Sequence, residues 1–169
     1  MNHGYWNTFA GLIATPFEHA VLIWGIVPLY FGLLLNELNS SKANFQTALQ
    51  TGFSFLWAGA QWLWPFFVPH ASHGRYLEVN KMLPVNLLVT FLVLGLGVIA
   101  LVSGVRKRFP QYCQFLGHTR FANYFMITIF PIQSHWLAWT WERLTTIVLF
   151  AVPVWLVLHF GLMPLRHQK

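Results

Sequence analysis

Aspartate is missing from this 169-residue chain, and glutamate occurs only at Glu18, Glu37, Glu78 and Glu142. Charged residues make up 8% of the sequence, where a soluble domain carries roughly 25%. So little charge excludes an ordinary solvated surface. No chain of carboxylates runs through the apolar stretches, which excludes the relay of a proton pump. The single cysteine, Cys113, excludes an intramolecular disulfide and a CxxC metal knuckle. Walker, GxSxG, HExxH and CxxCH sequences are absent, and with them the chemistries they carry. The first fifteen residues hold no Lys or Arg, so they do not read as a cleavable signal. No internal repeat and no low-complexity tract is visible, and five apolar stretches do not divide into an inverted pair.

What the chain has instead is apolar length. Hydrophobic residues reach 56% and aromatics 18%, with nine Trp and sixteen Phe. The stretches 17–38, 45–68, 84–105, 121–141 and 144–165 each hold the roughly 20 residues that cross a bilayer core of about 30 Å. They predict an all-α, polytopic transmembrane bundle of five spans, a single integral-membrane domain over 1–169. Residues 1–16, with Tyr5, Trp6 and Phe9, read as an interfacial arm. The alternative has four spans, with 121–141 lying flat, because Pro131 and Gln133-Ser134-His135 interrupt that stretch.

Five spans divide the basic residues unevenly. Arg75, Lys81 and Arg143 fall on one side; Lys42, Arg106, Lys107, Arg108, Arg120, Arg166 and Lys169 fall on the other. Basic residues favour the cytoplasmic side. The expected orientation therefore has the N-terminus outside and the C-terminus in the cytoplasm, in a prokaryotic inner membrane. The net charge of +6 flanks apolar stretches and forms no stripe. It points to anionic lipid headgroups as partners, and not to nucleic acid.

Unusual residues gather at the expected outer end: His3, Glu18, His19, His70, His73, Glu78, His135 and Glu142, among Trp6, Trp62, Trp64, Trp136, Trp139 and Trp141. The tryptophans suit an interfacial belt. Glu18 opens the first stretch, either as a residue favoured by a helix start or as a proton acceptor beside a quinol. His19 and His135 fall at similar depth, which suits axial clamping of a haem or ligation of a chlorophyll-type pigment. The plainer alternative is a histidine hydrogen-bonded within the bundle. His70 and His73, at i and i+3, form a weak zinc or copper pair whose bland counterpart is a solvated loop. His159 lies well inside the last stretch and is a candidate cofactor ligand by its depth, or an interfacial residue by its nearness to Arg166.

Gln46, Gln50 and Ser54 share one helix face, with Gln61 further along. Such side chains hydrogen-bond across helices, and the small pairs Ser54/Ala58 and Ala100/Gly104 allow close approach. Stretches three and five read as apolar around their whole circumference. These features favour a small non-catalytic subunit of a multi-subunit inner-membrane assembly, one that packs against other membrane subunits and holds lipid, quinone or pigment. By analogy the host is a photosynthetic or respiratory electron-transport complex. Two alternatives stand beside it: a haem- or metal-carrying redox protein built on the outer histidines, and a small oligomeric transporter.

Overall fold

Long runs of Leu, Val, Phe and Ala, punctuated by Pro and by short polar stretches, build helices throughout. The structure is a computed structural model that describes residues 4–38, 45–67, 83–106 and 120–161. Among the described residues six helices are formed: α1 (Tyr5–Glu18), α2 (Ala20–Leu38), α3 (Phe45–Phe67), α4 (Leu83–Arg106), α5 (Arg120–Gln133) and α6 (Trp141–Gly161).

One of these, α4, is by itself long and apolar enough to cross a membrane, with a mean hydropathy of 2.7 over its best window. A second candidate arises only if α1 and the first part of α2 are counted as one span, and those two are bent by 111°. The five-span bundle expected from sequence is therefore overturned, and so is its four-span alternative. The reasons are local. In stretch 17–38 the helix begins only at Ala20, because α1 ends at Glu18 and His19 turns extended, with φ −123° and ψ 104°. Stretch 121–141 stops at Gln133; the 14 residues of α5 rise only about 21 Å. In α3 the length is present, but three glutamines, Thr47, Thr51 and Ser54 dilute the apolar content. Helix α6 starts earlier than expected, at Trp141, and so takes Glu142 and Arg143 into its first turn.

Two apolar clusters form the interior. Leu22, Ile26, Leu29 and Leu33 of α2 meet Phe55, Ala58 and Trp62 of α3, Val93 of α4, and Met126, Ile127 and Phe130 of α5. On the other side, Leu12 of α1 packs with Tyr124 and Ile132 of α5 and with Ile147 and Ala151 of α6. Helix α5 belongs to both clusters and sits between the halves. The first and last of these helices are also neighbours, through the stacked rings of Phe9 and Phe150, 4.4 Å apart.

The most extensive helix pair is α3 with α4. The buried stripe of α4 runs Asn86, Thr90, Val93, Gly97, Ala100, Ser103 and Gly104. Its small members let the backbones close up. A Cβ on Gly52 would stand 2.7 Å from Leu101 N and 2.9 Å from Gly97 O, and one on Gly104 would stand 2.9 Å from Phe45 O. The stripe also corrects the expectation that α4 is apolar on every face.

Pro28 shapes the α2–α3 pair. Proline has no N–H to give the carbonyl four residues earlier, which is Trp24 O. Trp57 Nε1 of α3 donates to that carbonyl instead, at 2.7 Å. The expected helix–helix role of the polar α3 face is seen at Ser54, whose hydroxyl is buried and reaches Pro28 O (3.3 Å) and Gln50 O (2.9 Å). Gln61 packs near Gly25, Gln50 is half-buried, and Gln46 is exposed.

Beside this apolar interior, polar side chains are also buried and large apolar ones stand outside. Buried polar residues include Thr51, Asn86, Thr90, Ser103, Asn123, Thr128, Gln133 and Thr146, while Trp24 (74% exposed), Phe67, Leu88, Phe91 and Trp141 (85%) lie outside.

Candidate functional site

Helix α5 ends at a left-handed residue. His135 has φ 61°, and among the described residues it is the one non-glycine with positive φ. Its N–H donates to Ile132 O at 3.1 Å, and Trp136 N–H donates to Pro131 O at 3.1 Å. These two bonds make a Schellman cap with His135 at the position glycine usually holds. A side chain there costs about 1–2 kcal/mol. Such strain persists only where the surroundings over-determine it.

The surroundings are a buried polar knot. Trp139 Nε1 donates to Asn86 Oδ1 at 2.5 Å, and Asn86 Nδ2 meets His135 Nδ1 at 3.1 Å. Thr90 donates to Asn86 O at 2.8 Å and reaches Gln133 Oε1 at 3.5 Å. The edge of Phe66 closes on the His135 ring, with centroids 5.9 Å apart. Residues from α3, α4, α5 and the link to α6 are thus tied at one point.

The direction of each bond follows from its neighbour. An indole N–H only donates, so it fixes which end of the Asn86 amide carries oxygen. The other end must then donate, so His135 Nδ1 offers its lone pair. The ring proton sits on Nε2. Burial lowers the pKa of His135 from the usual 6.5, because the charged form loses water. Neutral imidazole is the form the knot accepts.

His19 lies in the elbow between α1 and α2, and its ring stacks on Trp136 at 3.7 Å. The fold therefore draws His19 and His135 into one region, joined through Trp136 rather than facing across a gap. Haem ligation does not suit His135 as the knot holds it. A ligating histidine gives its other ring N–H to a partner and keeps a lone pair for the metal. His135 has the reverse polarity. Glu18 is exposed and closes α1, where it was expected to open a span. His70 and His73 lie outside the described residues. His159 falls within α6, but its side chain is likewise outside the description. Among the described residues, no group of three or more His, Cys, Asp or Glu is placed to hold a metal ion.

Sequence reasoning passed over Asn86 and Thr90, and read Trp139 only as a member of the interfacial belt. The signal that would have found the first two is a polar pair at i and i+4 inside an otherwise apolar helix. Also unforeseen are buried polar atoms without a hydrogen-bond partner among the described residues: Gln133 Nε2 and Trp62 Nε1 near the knot, and both amide atoms of Asn123 toward the opposite end of α5. Each such group costs about 1–3 kcal/mol if it stays dry.

Two clefts flank the bundle. One, of about 690 Å³, runs between α2 and α3 and is lined by Val21, Trp24, Trp57, Ala60, Gln61 and Trp64. The other, of about 830 Å³, lies between α1 and the start of α6. No known protein family, no curated protein and no solved structure matches the chain.

Proposed function

We propose that the chain is a small accessory subunit of a membrane assembly, without a reaction of its own. The observation that carries this reading is the exposed apolar face of α4. Soluble monomers rarely leave large contiguous apolar patches uncovered. Here Leu88, Phe91, Leu92, Leu96, Ile99 and Val102 of α4 are all exposed, on the side away from its polar and small-residue stripe. Lipid and neighbouring membrane helices are the natural cover for such a surface. Helix α4 is the element best suited to lie in the apolar layer of a membrane, with the basic run that begins at Arg106 toward the cytoplasmic surface. The tryptophan-lined cleft between α2 and α3 suits one acyl or prenyl chain, and an electron-transport complex is the host class we favour.

The polar groups support a packing role. The knot around His135 is spent on joining helices, and its imidazole has no lone pair to spare for a metal. The transporter reading has no observation in its favour.

The test combines extraction with crosslinking. Native membranes are washed at alkaline pH, and a photo-crosslinking residue is placed at Phe91. Retention in the membrane, with one discrete adduct to an unlike membrane polypeptide, is expected. Release by the wash overturns the membrane reading. Retention with only lipid adducts, or adducts only to copies of the same chain, overturns the subunit reading.

A further inference from the structure

The cleft between α1 and the start of α6 has a different chemistry from the rest of the surface. Its α1 wall is the stripe Gly4, Thr8, Gly11, Leu12 and Thr15, at helical spacing. Its other wall carries Glu142 and Arg143. At about 830 Å³ it falls within the 300–1,000 Å³ range of small-ligand sites.

The two charges are sequence neighbours, yet each is held by a different group. Glu142 Oε1 accepts the Thr8 hydroxyl at 2.7 Å. Arg143 is half-buried, and its Nη1 donates to Ala138 O. One bond each leaves a carboxylate with further acceptor sites and a guanidinium with further donors. The cleft thus offers an anion acceptor and a cation acceptor side by side. Gly11 keeps it open: a Cβ built there meets no atom within 4 Å.

We propose that this cleft holds the headgroup of an ethanolamine phospholipid, with the phosphate on Arg143 and the primary ammonium on Glu142. Charge complementarity selects this class. A phosphate alone leaves Glu142 facing an anion. A choline group has no N–H to give the carboxylate, whereas a primary ammonium has three. Arginine suits the phosphate because its fork can engage two oxygens. The inference rests on the membrane reading, and the two fail separately. Headgroup binding is measured in detergent, whatever the alkaline wash shows.

The experiment titrates the purified full chain, in mixed micelles, with dioleoyl phosphatidylethanolamine, phosphatidylcholine or phosphatidylglycerol, following tryptophan fluorescence and thermal unfolding. One charge-assisted hydrogen bond corresponds to about tenfold in affinity. The ethanolamine lipid is therefore expected to bind about tenfold tighter than the other two. Glu142→Gln keeps an acceptor for Thr8 and removes the charge, so it should erase that preference. Gly11→Leu fills the cleft from a position with open space and favours the helix; it should abolish binding of all three while leaving the unfolding temperature intact. Free glycerophosphoethanolamine separates the two sources of the same chemistry: competition shows that the headgroup suffices, and no competition assigns the site to the intact lipid. Equal binding of the three lipids by the wild-type chain overturns the proposal. So does an ethanolamine preference that survives in Glu142→Gln or in Gly11→Leu.

Discussion

Replacing one glycine by alanine should have opposite signs at two positions of the α3–α4 pair. At Gly52 the new Cβ would lie 2.7 Å from Leu101 N and 2.9 Å from Gly97 O. Both obstacles are backbone, so no rotamer change relieves them. Ordinary heavy-atom contact begins near 3.5 Å, so the helices must part by about 0.8 Å. A gap of that size forfeits a quarter to a half of the dispersion energy along the seam. Overpacking of this kind costs about 1–3 kcal/mol, against which alanine returns about 1 kcal/mol of helix propensity. Gly52→Ala should therefore be the less stable, by up to about 2 kcal/mol. At Gly95, on the outer face of α4, a Cβ meets nothing within 4 Å. There the propensity gain stands alone, so Gly95→Ala should be as stable as the parent or up to about 1 kcal/mol more stable. Reversible denaturant unfolding in one detergent, followed by far-UV circular dichroism, measures both. A Gly52→Ala variant that matches or exceeds the parent would refute the close α3–α4 approach.

Other outcomes follow from the polar knot and from the proline in α2. His135→Gly and His135→Ala both delete the partner of Asn86, but glycine also relieves the left-handed backbone, so it should be the more stable of the two by about 1 kcal/mol in the same unfolding assay. Because burial holds the folded-state pKa of His135 below 6.5, the unfolded chain binds the proton more readily once pH falls under that value. Its contribution should be complete above pH 6.5 and decline on acidification; unfolding measured against His135→Asn from pH 8 to 5 should show an acid-dependent difference, and a flat one would contradict the neutral tautomer. Trp57→Phe should cost about 1 kcal/mol, because it removes the donor that satisfies Trp24 O. Pro28→Ala restores an N–H for that carbonyl, so a double-mutant cycle should show the Trp57→Phe penalty shrinking in the Pro28→Ala background.

Helical content and the bounds of two helices were legible in the sequence. Stretch 84–105 anticipates Leu83–Arg106, and 45–68 anticipates Phe45–Phe67, because charges and prolines flank both. The polar face of α3 was legible at Ser54, whose i, i+4 companions announce a buried seam. The corners were not. The sequence parts residues 1–16 from the stretch that follows, but nothing in it announces that the chain turns there by 111°. The interruption at Gln133-Ser134-His135 was visible, but not its form, since histidine is only a weak signal for a left-handed cap beside glycine. What holds it there comes from Asn86 and Trp139, and Asn86 is 49 residues away along the chain. The pairing of His19 with Trp136 is equally non-local, so the candidate site could be gathered from sequence only as a crowd of polar residues.

The partnership of α1 with α6 has a consequence in time. Thr8 and Glu142 are separated by 134 residues. A ribosome adds roughly 5–20 residues per second, so Thr8 is made roughly 7–27 s before its acceptor exists. Through that interval Phe9 and Leu12 have none of their α6 neighbours. Whatever shelters the nascent segment, whether bilayer surface or chaperone, has to release it late, and a premature partner for α1 would leave α6 without its mate.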